Sequence, residues 1–143
     1  MPDYDSNAWE DNLIADLRAN GGRPSSGPLK GQTLLVMMST GAKSGLPRRS
    51  VLTYHRDGED YVVAGSKGGA PTDPAWVSNV RANPRVTIEI AGVEHPATAT
   101  IAEPAERDRL WRQHVAELPW FGDYERKTDR KIPMIRLRPD SAA

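Results

Sequence analysis

RSVLTYHRDGEDYVVAG, residues Arg49 to Gly65, holds two β-type runs around a tight turn. Arg49–His55 carries valine, leucine, threonine and tyrosine, the residues that suit a pleated, half-buried surface. Arg56-Asp57-Gly58-Glu59 follows, with the Asp-Gly pair that favours a short hairpin loop. Tyr61–Ala64 then returns antiparallel. A hairpin this short leaves no room for a βαβ crossover, so the sheet it seeds is antiparallel.

Working upstream, Thr33–Ser39 reads as a buried strand. Ser6 or Asn7 caps a first helix whose Trp9, Leu13, Ile14 and Leu17 share one face, and Gly21-Gly22 ends it. Arg23–Gly31 is a loop rich in proline, glycine and serine. Downstream, a helix over Pro74–Ala82 has Asp73 as its cap and stops at Asn83-Pro84. Arg85–Ile90 alternates as a strand, with Val86, Ile88 and Ile90 inward. Ala91-Gly92 turns the chain into a strand over Glu94–Ile101. A helix from Glu103 to Glu117 carries the stripe Leu110, Trp111 and Val115. Pro119–Lys127 reads as an aromatic, irregular stretch, and Ile132–Leu137 as the last strand. The expectation is a mainly β, α+β fold: a six-stranded antiparallel sheet closed as a small barrel, with flanking helices. Residues 1–31 form an N-terminal helix and loop, 32–139 the barrel, and 140–143 a tail.

Composition narrows the function. Lys plus Arg and Asp plus Glu are 19 each in 143 residues, so net charge is zero. A nucleic-acid binder would show a basic excess, so no nucleic-acid partner is expected. There is no cysteine, hence no disulfide, thiolate nucleophile or thiolate metal site. His55, His95 and His114 lack metal-ligand spacing and read as surface or packing residues; no metal site is expected. No apolar run reaches a membrane span, and the start lacks a signal peptide's features. Glu10, Asp11 and Asp16 make the first helix acidic opposite its apolar face, which opposes stable association with anionic lipid. A cytoplasmic protein, monomer or homodimer, is expected.

Two glycine-rich loops hold the cations that matter. GAKSGLPRRS spans Gly41 to Ser50, and SKGGAPTDP spans Ser66 to Pro74. If the strands beginning near Arg48 and ending near Ser66 form one hairpin, both loops meet. Lys43, Arg48 and Lys67 would then converge on an anion, with glycine amides forming a nest and the helix at Pro74 adding its positive end. The same residues also read as plain turns with solvated charges. Neither a Walker loop nor a GxGxxG after a strand is present.

TGAKSGLPR after a strand, DGEDYVVAGSKGGAPTDPAWVSNVRANPRV in the middle and GDYERKTDRKIPMIRL near the end give the chain a family likeness. It resembles the deazaflavin-dependent nitroreductase family, actinobacterial split β-barrel oxidoreductases, over roughly residues 30 to 139. The resemblance implies coenzyme F-420, an 8-hydroxy-5-deazaflavin with a phosphodiester and an oligoglutamate tail. It implies that Lys43, Arg48 and Lys67 hold the tail, and that amides near Gly41, Ser44 and Gly45 reach the phosphate. Ser66, Gly68 and Gly69 would line the ring, with Pro74, Ala75 and Trp76 supporting its face; Ala42, Ser50, Val51 and Ala64 complete the cofactor set. Trp76 also reads as an ordinary core tryptophan.

The implied reaction is hydride transfer from the reduced cofactor to a quinone or an activated alkene, a small-molecule acceptor, with Tyr124 as the catalytic proton source or orienting group. Tyr124 also reads as a structural aromatic. A nitroimidazole-reducing member has a basic residue at the place of Ala42, a tyrosine at Phe121, a tryptophan at Lys127 and an aromatic at Thr53. Fewer hydroxyl-bearing aromatics therefore face the substrate here. Two alternatives stand beside this reading: an FMN-dependent reductase on the same barrel, and a non-catalytic deazaflavin-binding protein.

Overall fold

The computed structural model describes residues 8–27 and 29–140. Helix α1 (Ala8–Ala19) is followed by strands β1 (Leu34–Thr40), β2 (Pro47–Thr53), β3 (His55–Asp57) and β4 (Asp60–Ala64). Helix α2 (Ala75–Ala82), the hairpin β5 (Arg85–Ile90) and β6 (Val93–Ile101), helices α3 (Pro104–Glu117) and α4 (Phe121–Arg126), and β7 (Met134–Pro139) complete the chain. The expected helix caps Ser6 and Asn7 lie outside the described residues.

The sheet has seven strands in the order β2-β1-β5-β6-β7-β4-β3, every pairing antiparallel. The expected count of six is corrected by one residue. The single strand read over Arg49–His55 breaks at Tyr54. Its first part pairs with β1, and its second pairs with β4. β2 and β3 are therefore opposite edges of the sheet, although only Tyr54 separates them in the chain. The sheet must curl until its edges approach, which makes a half-barrel. Tyr54 donates its N–H to the Thr33 carbonyl at 3.2 Å and stands edge-on to Tyr61 at 5.1 Å, fixing the corner.

Inside the curl, Leu35, Met37, Val63, Ile88, Ile135 and Leu137 pack on Trp76, Val77 and Val80 of α2. Outside it, Ile14 and Leu17 of α1 cover Leu34 and Val36. β1 is thus covered on both faces, which is why it reads as an unbroken apolar run instead of an alternating one. Trp9, on the expected apolar face of α1, is 65% exposed.

Helices α3 and α4 close the remaining end over Val62, Ala64, Ile132 and Met134. The stretch expected to be irregular contains α4, because Phe121 and Tyr124 bury one side of a short helix. Charge locks α3 in place. Asp57 is bonded by Arg109 and Arg136, and Asp60, 1% exposed, by Arg136 and Arg138. The Arg109 hydrogen bond above all holds the Asp57 carboxyl down at about 2.

One local expectation changes. Asp73 does not cap α2. Pro74 takes the capping position in extended conformation with no side-chain cap, and Asp73 instead accepts from Arg130, across the fold, at 2.6 Å.

Candidate functional site

Two recesses meet at Trp76. The larger, about 570 Å³, is the cationic one: Gly41, Ala42, Lys43, Ser44, Arg48, Arg49 and Ser50 form one wall, Ala75, Trp76, Ser78 and Asn79 of α2 the other. Among the described residues no carboxylate lines it. The smaller, about 300 Å³, is largely apolar. Val51, Ala64, Ser66, Lys67, Pro74 and Trp76 line it from the barrel, Trp120, Phe121 and Tyr124 from the α3–α4 end, and Trp9, Glu10 and Leu13 from α1. Trp76 is both things expected of it: a core residue, 8% exposed, and the shared wall of both recesses.

The loops meet, but not as strands of one hairpin. α2 brings them together. The second loop runs directly into α2, and the first is tied to it by Asn79 Oδ1, which accepts from Ala42 N at 3.0 Å. Lys43 and Arg48 line the cationic recess, whereas Lys67 lines the apolar one. The three cations are therefore divided between two chambers.

Part of the expected amide nest is already engaged. Gly41 N donates to Leu46 O at 2.8 Å and Gly45 N to Gly41 O at 3.0 Å, while Ser44 Oγ accepts from Leu46 N at 3.2 Å. The amides of Gly41 and Gly45 are thus taken up by the turn itself. A Cβ on Gly41 would sit 2.5 Å from Ser44 Oγ, so any larger residue must displace that hydroxyl. Gly45 and Gly69 border neither recess. Gly69 serves close packing: at φ +85° its absent Cβ leaves room for the Tyr124 carbonyl.

Several lining residues escape a reading of the sequence. Ser78 and Asn79 lie one helical turn beyond Ala75 and Trp76, a spacing that marks one face of α2. Trp120 lies four residues before Tyr124, visible only once the two are brought to one face. Arg49 bonds Glu10 Oε1 at 2.7 Å and Asp11 Oδ1 at 2.9 Å, holding α1 over the mouth. No local pattern announces that pairing of residues far apart in the chain.

His55 and His114 are packing residues, and they touch. Their Nδ1 atoms are 2.7 Å apart, and Gln113 Oε1 lies 3.3 Å from His55 Nε2. His114 is fully buried, its Nε2 has no partner among the described residues, and its ring stands edge-on to Phe121 of the apolar recess. One Nδ1–H···Nδ1 bond needs a neutral acceptor ring. Burial first, and the neighbouring His55 second, push His114 down to about 3. Burial lowers His55 as well.

A histidine with a depressed folded value binds its proton more readily when unfolded. Its stabilising effect is complete above about 6.5 and drains away as pH falls toward 3. Each pH unit in that window costs about 1.4 kcal/mol. Urea unfolding at pH 5.5 should thus give a stability about 1.4 kcal/mol below its plateau value near pH 7.5. The His55→Leu/His114→Phe double variant should be flat over the same interval; an equal slope in both proteins would refute the assignment.

Among the described residues no group of His, Cys, Asp or Glu is arranged to hold a metal. No helix there is long and apolar enough to cross a membrane.

The likeness to known proteins agrees with this geometry. Residues 11–139 match the family model described as F420H(2)-dependent quinone reductase. An F420H(2)-dependent quinone reductase of Mycobacterium tuberculosis is 40% identical over 107 residues, 72% of this chain and 71% of that one. A solved F420-H2 dependent reductase superposes with a TM-score of 0.67 at 36% identity, over 73% of this chain and 93% of its own. A solved domain-swapped dimer does so with 0.70 at 31% identity, over 91% and 97%. A match spanning the whole sheet makes this chain a member of the F420H(2)-dependent quinone reductase family, an oxidoreductase whose cofactor is coenzyme F-420.

Proposed function

We infer that the two recesses form one active site, with the cofactor's anionic tail in the cationic chamber and its ring, beside the acceptor, in the apolar one. The observation that carries this is the division of charge at Trp76: Lys43, Arg48 and Arg49 with hydroxyls, and among the described residues no carboxylate, on one side; aromatic and aliphatic walls with Glu10 and Lys67 at their edge on the other. That donor set fits a polyanion. Lys43 and Arg48 supply charge-assisted contacts, and Ser44 and Ser50 add hydroxyls. Gly41, Ala42 and Ala75 keep the walls low enough for close approach, with Gly45 shaping the turn. On the other side Val51, Ala64, Pro74 and Trp76 offer a flat apolar bed, and Ser66 and Lys67 offer polar groups at its edge. Gly68 and Gly69 act through the shape of their loop.

When bound and reduced, the cofactor supplies a hydride. A quinone or activated alkene that takes up a hydride must also gain one proton to become hydroquinone or saturated carbonyl. Tyr124, on the α4 side of the apolar recess, is the group we assign to that proton or to a hydrogen bond on the developing oxygen anion. Leu13, Trp120 and Phe121 put apolar surface beside the acceptor, while the mouth of the recess stays open to water. The acceptor is a small molecule.

Titration of the purified protein with coenzyme F-420 and with FMN tests the reading. The long anionic tail should give coenzyme F-420 roughly tenfold or greater preference at low salt, shrinking as salt is raised. Tighter binding of FMN would transfer the site to the flavin alternative. Binding of coenzyme F-420 without turnover of any quinone would leave only a binding protein.

A further inference from the structure

The segment that carries Ser66, Lys67 and Pro74 has little regular structure of its own. It leaves β4 at Gly65, makes one 3₁₀ turn over Lys67–Gly69 and enters α2. Lys67 has φ 47°, a left-handed conformation that costs a non-glycine residue energy. Something must impose this shape before any ligand arrives.

One side chain does so. Arg130, from the stretch before β7, donates Nε to Ala70 O at 2.9 Å, Nη2 to Ser66 O at 2.8 Å, and Nη1 to Gly65 O at 3.2 Å and Asp73 Oδ1 at 2.6 Å. Its side chain is 16% exposed. Three backbone carbonyls and a carboxylate thus converge on one planar fork. The fork fixes both their spacing and their plane, which a lysine's point charge does not. Arg130 borders neither recess. The carbonyls it gathers belong to the residues beside Lys67, and the carboxylate immediately precedes Pro74.

We propose that Arg130 is a positioning residue for hydride transfer: it holds the Gly65–Pro74 segment in the form that presents Ser66, Lys67 and Pro74 to the cofactor ring. This rests on the reading above that those residues border the ring. Because the fork acts on the ring chamber, its loss should weaken the ring's grip and leave the tail chamber intact. Lys43 and Arg48 stand on a different loop, tied to α2 through Asn79.

The test compares wild type, Arg130→Lys and Asp73→Asn by three measurements. Amide hydrogen exchange on the ligand-free protein comes first. Affinity for coenzyme F-420 and for its ring fragment lacking phosphodiester and glutamates comes second. Quinone turnover comes third. In Arg130→Lys the amides of residues 66–70 should exchange faster while those of 42–46 stay as in wild type. Both ligands should bind more weakly by the same factor, roughly tenfold, and kcat/KM should fall roughly ten- to a hundredfold. Asp73→Asn, which keeps the fork and its carbonyl bonds, should show the same pattern at smaller size, and it carries the test alone if Arg130→Lys does not fold. Unchanged affinity for the ring fragment overturns the inference. So does faster exchange in both loops alike, since that marks a general structural role. A wild-type protein that fails to bind coenzyme F-420 overturns the functional reading itself, whereas normal wild-type binding with an unaffected Arg130→Lys sinks this inference alone.

Discussion

Lys43→Ala combined with Arg48→Ala will weaken coenzyme F-420 on the order of 10²- to 10⁴-fold at low ionic strength. Both side chains line the cationic chamber, where no carboxylate stands among the described residues, and the amides of Gly41 and Gly45 are engaged within the turn. Arg48 also donates to Ser44 Oγ at 3.2 Å, so its removal loosens a hydroxyl on the same wall. A charge-assisted contact contributes on the order of 1.5–3 kcal/mol, and two independent ones nearly add. The loss should shrink as salt is raised, because partly exposed charges are screened. Lys67→Ala, in the other chamber, should show less salt dependence. Fluorescence titration across a salt series reads all three variants. A double variant within threefold of wild type at low salt would remove the tail from this chamber.

Tyr124→Phe will lower turnover of an activated alkene by about tenfold or more while cofactor affinity and folding stay near wild type. The ring of Tyr124 is half-buried, edge-on to Phe121 at 5.2 Å, with Lys127 Nζ 5.8 Å from its centroid. Phenylalanine keeps those contacts and removes only the hydroxyl. General-acid assistance is typically about 10²- to 10⁴-fold, and water entering the open recess recovers part of it. Quinones should suffer less than alkenes, since the hydroquinone oxygen is a weaker base than an enolate and needs less acid help. The check is the cofactor dissociation constant measured beside turnover on both acceptors. Lost cofactor binding, or alkene turnover left intact, would return Tyr124 to a packing role.

Local chemistry in the chain determines much of this protein. Asp57-Gly58 sets a hairpin because the pair tolerates the turn's backbone, with Gly58 at φ +62°. Trp76 and Ser66 to Pro74 mark a site because a glycine-rich loop running into a helix is a local pattern, and the family motifs are contiguous strings. The break at Tyr54 is different. Val51 to His55 is strand-like throughout, and what divides it is the choice of partner: β1 for one half, β4 for the other. Strand pairing joins residues distant in sequence, so it is decided by the closure of the whole sheet. The same holds for α4, which becomes a helix when Phe121 and Tyr124 find an end of the barrel to cover. It holds again for the separation of Lys67 from Lys43 and Arg48, which only the placement of α2 between the two loops imposes. The contacts of Arg130 with Asp73 and of His55 with His114 follow the same rule. Each sets a charged or titratable group against a partner more than fifty residues away, and burial supplies the energy that makes the pairing matter.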